Sequence, residues 1–221
     1  MATIVEEQAI LEEEPLAAEK QTSPKSAPPT PRLTFEDASK LAGGRLFELI
    51  QGRMVFKMPD DQHADAQGRL GGELYIYFKT NPIGVVRPEF MLRLWAENPY
   101  EGRMPDLSVI LNENLKEERY GSLRPDSKIQ GSGAGRAPDL AIEIVSRDDR
   151  WTDLFEKAAL YLENGSRVVW IVDPYQKGIM IVTSGERRWL TDTLTCSELL
   201  PGFSVDLKDI FAWPAVSKQG A

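Results

Sequence analysis

The sequence predicts an α/β fold, with a mixed β-sheet flanked by helices on both faces. Three observations predict it. The longer strand-like segments, MPDLSVIL, APDLAIEIVS and RVVWIVDP, are apolar almost throughout, as in sheets covered on both sides. Two segments, 62–79 and 151–164, carry apolar residues at helical spacing. The order is helix, several strands, helix, strand, which suits layers of helix on sheet.

The elements follow in order. In TFED, Thr34 is a helix N-cap with Asp37 three residues on, and Gly43–Gly44 is the stop. RLFELI, QGR and MVFKM read as a hairpin. Ala66, Leu70, Leu74, Tyr77 and Phe78 mark one helix face, and Asn81–Pro82 ends that helix. Strands are expected at 85–86, 90–95, 106–111 and 139–146. Residues 112–136 between them lack a pattern and contain GSGAGR, which reads as a mobile loop beside the site. A helix from Trp151 to Asn164 closes on Gly165, and Asp173–Pro174 ends the strand after it. GIMIVTS with RRWLT forms a hairpin, and LPGFSVDLKDIF gives a strand and a helical turn.

Composition bounds the rest. The 221 residues suit a tail and one domain able to bury a core. Residues 1–31 read as a disordered acidic, then Pro/Ser-rich tail, 32–213 as the folded domain and 214–221 as a flexible end. No apolar run approaches the ~20 residues that span a bilayer. The acidic start lacks the basic region of a signal peptide, so a cytoplasmic location is expected. One cysteine, Cys196, excludes an internal disulfide and a cysteine-rich zinc site, and reads as an inert small residue. The net charge of −8 is unfavourable for phosphate binding, yet six Glu and two Lys place −4 of it in residues 1–31. The folded part is only mildly acidic.

The strand 139–146 raises the chemical question. Alternation puts Asp139, Ala141, Glu143 and Val145 on one face. A carboxylate amid aliphatic residues is costly unless paired or bound to metal. Glu143 is therefore a buried salt bridge, an edge residue or a ligand. MPDLSVIL repeats the device with Asp106. If 106–111 and 139–146 are antiparallel neighbours, Asp106 approaches Glu143, and a cation would relieve their repulsion. Hard carboxylate oxygens suit Mg²⁺. On the following helix Asp153, Lys157 and Tyr161 share a face. Lys157 either pairs with Asp153 at the surface or reaches Glu143.

Other residues have blander readings beside functional ones. His63, opening a helix after PDDQ, is a cap residue or a general base. Arg87, Arg93 and Arg103 could touch phosphates or lie at solvated strand edges. Trp170, Trp189, Phe47 and Phe90 read as core, and Trp213–Pro214 as a last anchor.

Taken together, FELIQGRMV, the single His63 before a helix, MPDLSVI, APDLAIEIVS, DLFEKAALYLENG, VVWIVDP and LPGFSVDL resemble the Uma-two family of restriction-endonuclease-like proteins over residues 33–211. The resemblance implies the PD-(D/E)XK nuclease superfamily and its restriction-endonuclease-like fold. It implies Asp106 and Glu143 as ligands of Mg²⁺ (or Mn²⁺), with Glu48 as an extra ligand. The superfamily lysine two residues after the Glu is here Val145, and the family's reading makes Lys157 the substitute. Asp139 matches the second PD but lies about 13 Å along the strand from Glu143 at ~3.3 Å per residue, so it belongs to the site rim or the framework.

The implied function is a metal-dependent endonuclease hydrolysing phosphodiester bonds in nucleic acid, with DNA expected. Asp106, Glu143, Lys157 and Glu48 carry it. The alternative is a catalytically inactive binding module of the same fold, favoured by the acidic balance and by Val145. Restriction-like nucleases often act as dimers, so a homodimer is an open expectation that no residue here supports.

Overall fold

A computed structural model describes residues 31–95, 97–115 and 134–212. The expected tail before residue 31, Trp213–Pro214 and the C-terminal end lie outside these residues.

A six-stranded sheet in the order β3-β4-β5-β6-β7-β8 forms the centre. Its strands are β3 (Gly84–Pro88), β4 (Leu107–Leu111), β5 (Leu140–Ile144), β6 (Val168–Asp173), β7 (Gly178–Val182) and β8 (Arg187–Leu190). Only β5 and β6 pair in parallel; the other neighbours are antiparallel, so the sheet is mixed. Helix α4 (Trp151–Glu163) makes the crossover that a parallel pair requires.

The apolar strands are buried on both faces. Leu140, Ile142 and Ile144 pack with Trp170 and Val172 against Ala66, Leu70, Leu74 and Tyr77 of α2 (Asp61–Thr80). Ala141, Val145, Val169 and Ile171 pack on the other face against Leu154, Ala158 and Tyr161 of α4. At ~25 cal/mol per Å² of apolar surface, each fully buried aliphatic side chain contributes roughly 1.5–3 kcal/mol. A third cluster joins α1 (Phe35–Ala42) to the hairpin of β1 (Phe47–Ile50) and β2 (Arg53–Phe56). Gln51 and Gly52, with φ of 52° and 79°, make the two-residue turn between these strands.

Caps behave as their residue types dictate. Thr34 Oγ1 accepts from the Asp37 N–H at 3.2 Å, and Gly43 ends α1 at φ 60°. Asp60 accepts the N–H groups of Gln62 and His63 at the start of α2, both at 3.1 Å.

Three elements differ from expectation. Residues 90–95 form no continuous strand; Leu92 alone bridges Arg103 and Ala134, both remote in sequence. Glu89, in the left-handed region at φ 51°, turns the chain away after β3. A separate two-stranded sheet of β9 (Thr193–Cys196) and β10 (Leu200–Asp206) was not anticipated, since TLTC is short and half exposed. It leads into α5 (Leu207–Ile210) and closes over the α2 side of the core. Residues 112–115, expected as loop, form the short helix α3 (Asn112–Leu115). Among the described residues no helix is long and apolar enough to cross a membrane.

Candidate active site

Strands β4 and β5 run antiparallel with Leu107 opposite Ile142. Asp106, one residue earlier, therefore falls level with Glu143, and its Oδ2 accepts the Ile144 N–H at 2.6 Å. Both carboxylates are buried, at 1% and 3% exposure. The start of β4 and the end of β5 thus deliver one acidic group each to the same sheet end.

Glu48 arrives from β1. Its Oε1 accepts the Met104 N–H at 2.9 Å. Lys157 comes over the sheet from the second turn of α4. Its Nζ lies 2.8 Å from Glu48 Oε2 and 3.2 Å from Glu143 Oε2. The surface pair with Asp153 does not form; Asp153 is exposed and accepts from Thr152. Glu48, Asp106, Glu143 and Lys157 line one cavity of about 220 Å³, together with Lys57 and His63.

Three contributors were not assigned from the sequence. Lys57 donates to the Met104 carbonyl at 2.7 Å and to Asp106 Oδ1. The hairpin register places Glu48 opposite Val55, so Val55 and, two residues on, Lys57 share the Glu48 face. Following the two-residue turn through the pairing would have found it. Tyr161 donates its hydroxyl to Glu143 Oε1 at 2.6 Å; its spacing from Lys157 was the available signal. Glu89 also lines the cavity, with Oε1 held by Gln67 at 2.9 Å. His63, 4% exposed, sets Nε2 3.2 Å from Asp106 Oδ2.

The remaining candidates lie elsewhere. Asp139 accepts from the Leu111 N–H at 2.8 Å and from Asn114 at 2.5 Å, tying β5 to the turn after β4. Arg103 bonds the Leu49 carbonyl and Glu101, Arg93 lies over the Phe35 ring, and Arg87 is exposed on β3. None lines the cavity. Of GSGAGR, Ala134 is buried against Leu92 and Arg136 bonds Asn114 at 2.7 Å; residues 131–133 lie outside the described residues. Val145 packs into the α4 side of the core, where a lysine would be buried. Trp170 and Phe47 are core, whereas Phe90 and Trp189 are partly buried.

Burial and mutual charge shape the electrostatics. Burial, with the nearby Asp106 and Glu48 charges, pushes the Glu143 carboxyl up to about 7 despite Lys157. Burial also works against the Asp106 carboxylate, but Lys57 and His63 outweigh it and hold that group well below the usual range. Lys57 and Lys157 are opposed by burial too, and the surrounding carboxylates raise both above the ordinary lysine value. Burial, then Glu143, drives the Tyr161 phenol well above its ordinary value, so it stays a donor.

Among the described residues no three Asp, Glu, His or Cys side chains stand close enough to share one ion. Ammonium groups lie between the carboxylates instead. The donor set nonetheless fits a hard divalent cation, because Mg²⁺ takes one or two protein carboxylates and completes its shell with water and phosphate. Asp106 and Glu143 stand level on adjacent strands as two buried carboxylates of that kind.

The Uma2 family, described as "Putative restriction endonuclease", matches residues 35–208. A solved structure from Anabaena variabilis ATCC 29413, described as "a putative nuclease belonging to DUF820", is similar with a TM-score of 0.63 at 20% identity. The match covers 82% of this chain and 98% of that one, and speaks to the fold. No curated protein matches the chain. With the family match extending over most of the folded residues, the chain belongs to the Uma2 family of restriction-endonuclease-like proteins.

Proposed function

We propose that the protein is a metal-dependent endonuclease that hydrolyses phosphodiester bonds, with DNA as substrate and Mg²⁺ or Mn²⁺ as cofactor. One observation carries the reading. Glu48, Asp106, Glu143 and Lys157, remote in sequence, meet in a single cavity at the end of the central sheet.

Asp106 and Glu143 would hold the ion, and Glu48 would assist by fixing Lys157 beside it. Such an ion supplies Lewis-acid polarisation of the phosphate and of the attacking water. The chain's own residues do the rest. Lys157, anchored by Glu48 and Glu143, sets a positive charge at the cavity wall to balance the charge that develops on a phosphate and to orient the nucleophile. Tyr161 fixes Glu143 by holding one of its oxygens. His63 and the Ile144 N–H fix Asp106 in the same way. Preorganisation of this kind avoids reorienting polar groups during reaction.

The test is Mg²⁺-dependent cleavage of duplex DNA by the wild type, Glu143→Ala and Lys157→Ala. Cleavage by the wild type and loss of at least a hundredfold in each variant supports the reading. Equal activity in all three removes it.

A second reading, an inactive nuclease-fold binding module, is favoured by one feature. Each oxygen of Asp106, Glu143 and Glu48 already meets a protein donor. A Mn²⁺ titration separates the two, since a module of this kind binds no ion through Asp106 and Glu143.

A further inference from the structure

Oxygen atoms converge on positive charge at two places in the cavity. At one, Glu48 Oε2 and Glu143 Oε2 approach Lys157 at 2.8 and 3.2 Å. At the other, Asp106 Oδ1 and the Met104 carbonyl oxygen, the latter at 2.7 Å, approach Lys57. A carboxylate beside a backbone carbonyl is a pair of hard oxygens, the ligand type that small divalent cations select. Here the chain fills that place itself.

Lys57 is delivered by backbone pairing and not by a loose surface chain. It follows β2 directly, and its N–H donates to the Leu46 carbonyl at 3.2 Å. Its side chain is 13% exposed, and that of its partner Asp106 is 2% exposed. A buried ammonium so held is costly to displace, because removing it leaves Asp106 uncompensated.

We propose that Lys57 occupies the second cation position of this site and so limits the site to one divalent ion. The inference rests on the metal-dependent reading given above. Contact supports it: the Lys57 ammonium already holds Asp106 Oδ1 and the Met104 carbonyl oxygen, the two hard oxygens that a second ion would need. In enzymes with two metals, the ions stabilise the attacking and the leaving oxygen of the displacement. Here Lys57 supplies the second positive charge, fixed in the fold and independent of ion concentration.

The test counts ions. Mn²⁺ is titrated into the full chain, and the free ion is followed by electron paramagnetic resonance, with circular dichroism reporting that each variant is folded. The wild type and Lys57→Arg are expected to bind one ion per chain, and Lys57→Met two. Should Lys57→Met fail to fold, Lys57→Gln, which keeps a donor for the Met104 carbonyl without the charge, replaces it and is likewise expected to bind two. Two ions on the wild type, or one on both the wild type and the uncharged variant, overturns the proposal and leaves the nuclease reading intact. No ion on the wild type overturns the metal-dependent reading as well.

Discussion

Lys157 reaches Glu143 across the end of β5, its Nζ 3.2 Å from Oε2, from a helix that begins seven positions after the strand ends. The same ammonium lies 2.8 Å from Glu48 Oε2. One cation therefore separates two buried carboxylates that would otherwise repel, and the fold depends on it whether or not a substrate is present.

Lys157→Met should therefore destabilise the metal-free protein severely. Removing one member of a buried ion pair typically costs about 3–5 kcal/mol, because its partners must then carry uncompensated buried charge or take up a proton. Divalent cation should recover part of the loss by supplying the missing charge. Urea unfolding of the variant with and without Mg²⁺ measures both effects. A variant as stable as the wild type would show that Lys157 is not the charge holding Glu48 and Glu143 together.

The pH dependence follows from two groups with opposite signs. Glu143 is raised to about 7, so the folded state holds its proton where the unfolded chain has lost it. Its contribution is full below the ordinary Glu range, near pH 4.3, and is lost as pH rises toward 7. Asp106 is lowered, so its contribution is present above the ordinary Asp range, near pH 3.9, and is lost as pH falls further. From these two groups the metal-free protein is most stable near about pH 4 and weakens toward pH 8 by a few kcal/mol, since each pH unit between the folded and unfolded pKa corresponds to ~1.4 kcal/mol. Because a ligating carboxylate must be ionised, Mg²⁺ should bind more tightly over the same rise and offset the decline. Urea midpoints at pH 5 and pH 8, with and without Mg²⁺, check both trends.

How far the sequence could be read depended on how local each signal was. The strands LSVIL and LAIEI, the helix 151–163 and the caps Thr34 and Gly43 follow from residue type and period. So does the approach of Asp106 to Glu143, once the two strands are paired antiparallel. Leu92 was misleading because its partners, Arg103 and Ala134, are 11 and 42 positions away, and such bridges leave no periodic trace. Lys57 was hidden for a different reason. Its neighbours in MVFKM suggest an ordinary strand edge, and only the register through Gln51–Gly52 turns it toward Glu48 and Asp106. The choice between Asp153 and Glu143 as partner of Lys157 is likewise a tertiary matter that helical spacing leaves open.

Asp139 offers a control on the carboxylates of the site. It directly precedes the strand that carries Glu143, and its oxygens hold the Leu111 N–H and Asn114 at the opposite end. Asp139→Ala strips both donors of their acceptor and should cost about 1–3 kcal/mol of stability. Cleavage per folded molecule, and its Mg²⁺ dependence, should be unchanged. A loss of cleavage as large as that of Glu143→Ala, in a variant that remains folded, would move Asp139 into the site.

Tyr161→Phe separates positioning from framework. The ring is fully buried, and Phe preserves its shape, so the chief change is loss of the 2.6 Å bond to Glu143 Oε1. A donor to a carboxylate favours the charged form, and its removal should raise the Glu143 pKa further above 7. The pH at which cleavage reaches half its maximum should then move to alkaline values, with activity largely recovered at high pH. Stability should fall by about 1–3 kcal/mol below that midpoint and more above it, where the unpaired oxygen is charged. If Tyr161 serves packing alone, the melting temperature shifts while the pH midpoint of cleavage stays in place, and a pH–rate profile of the two proteins decides between these outcomes.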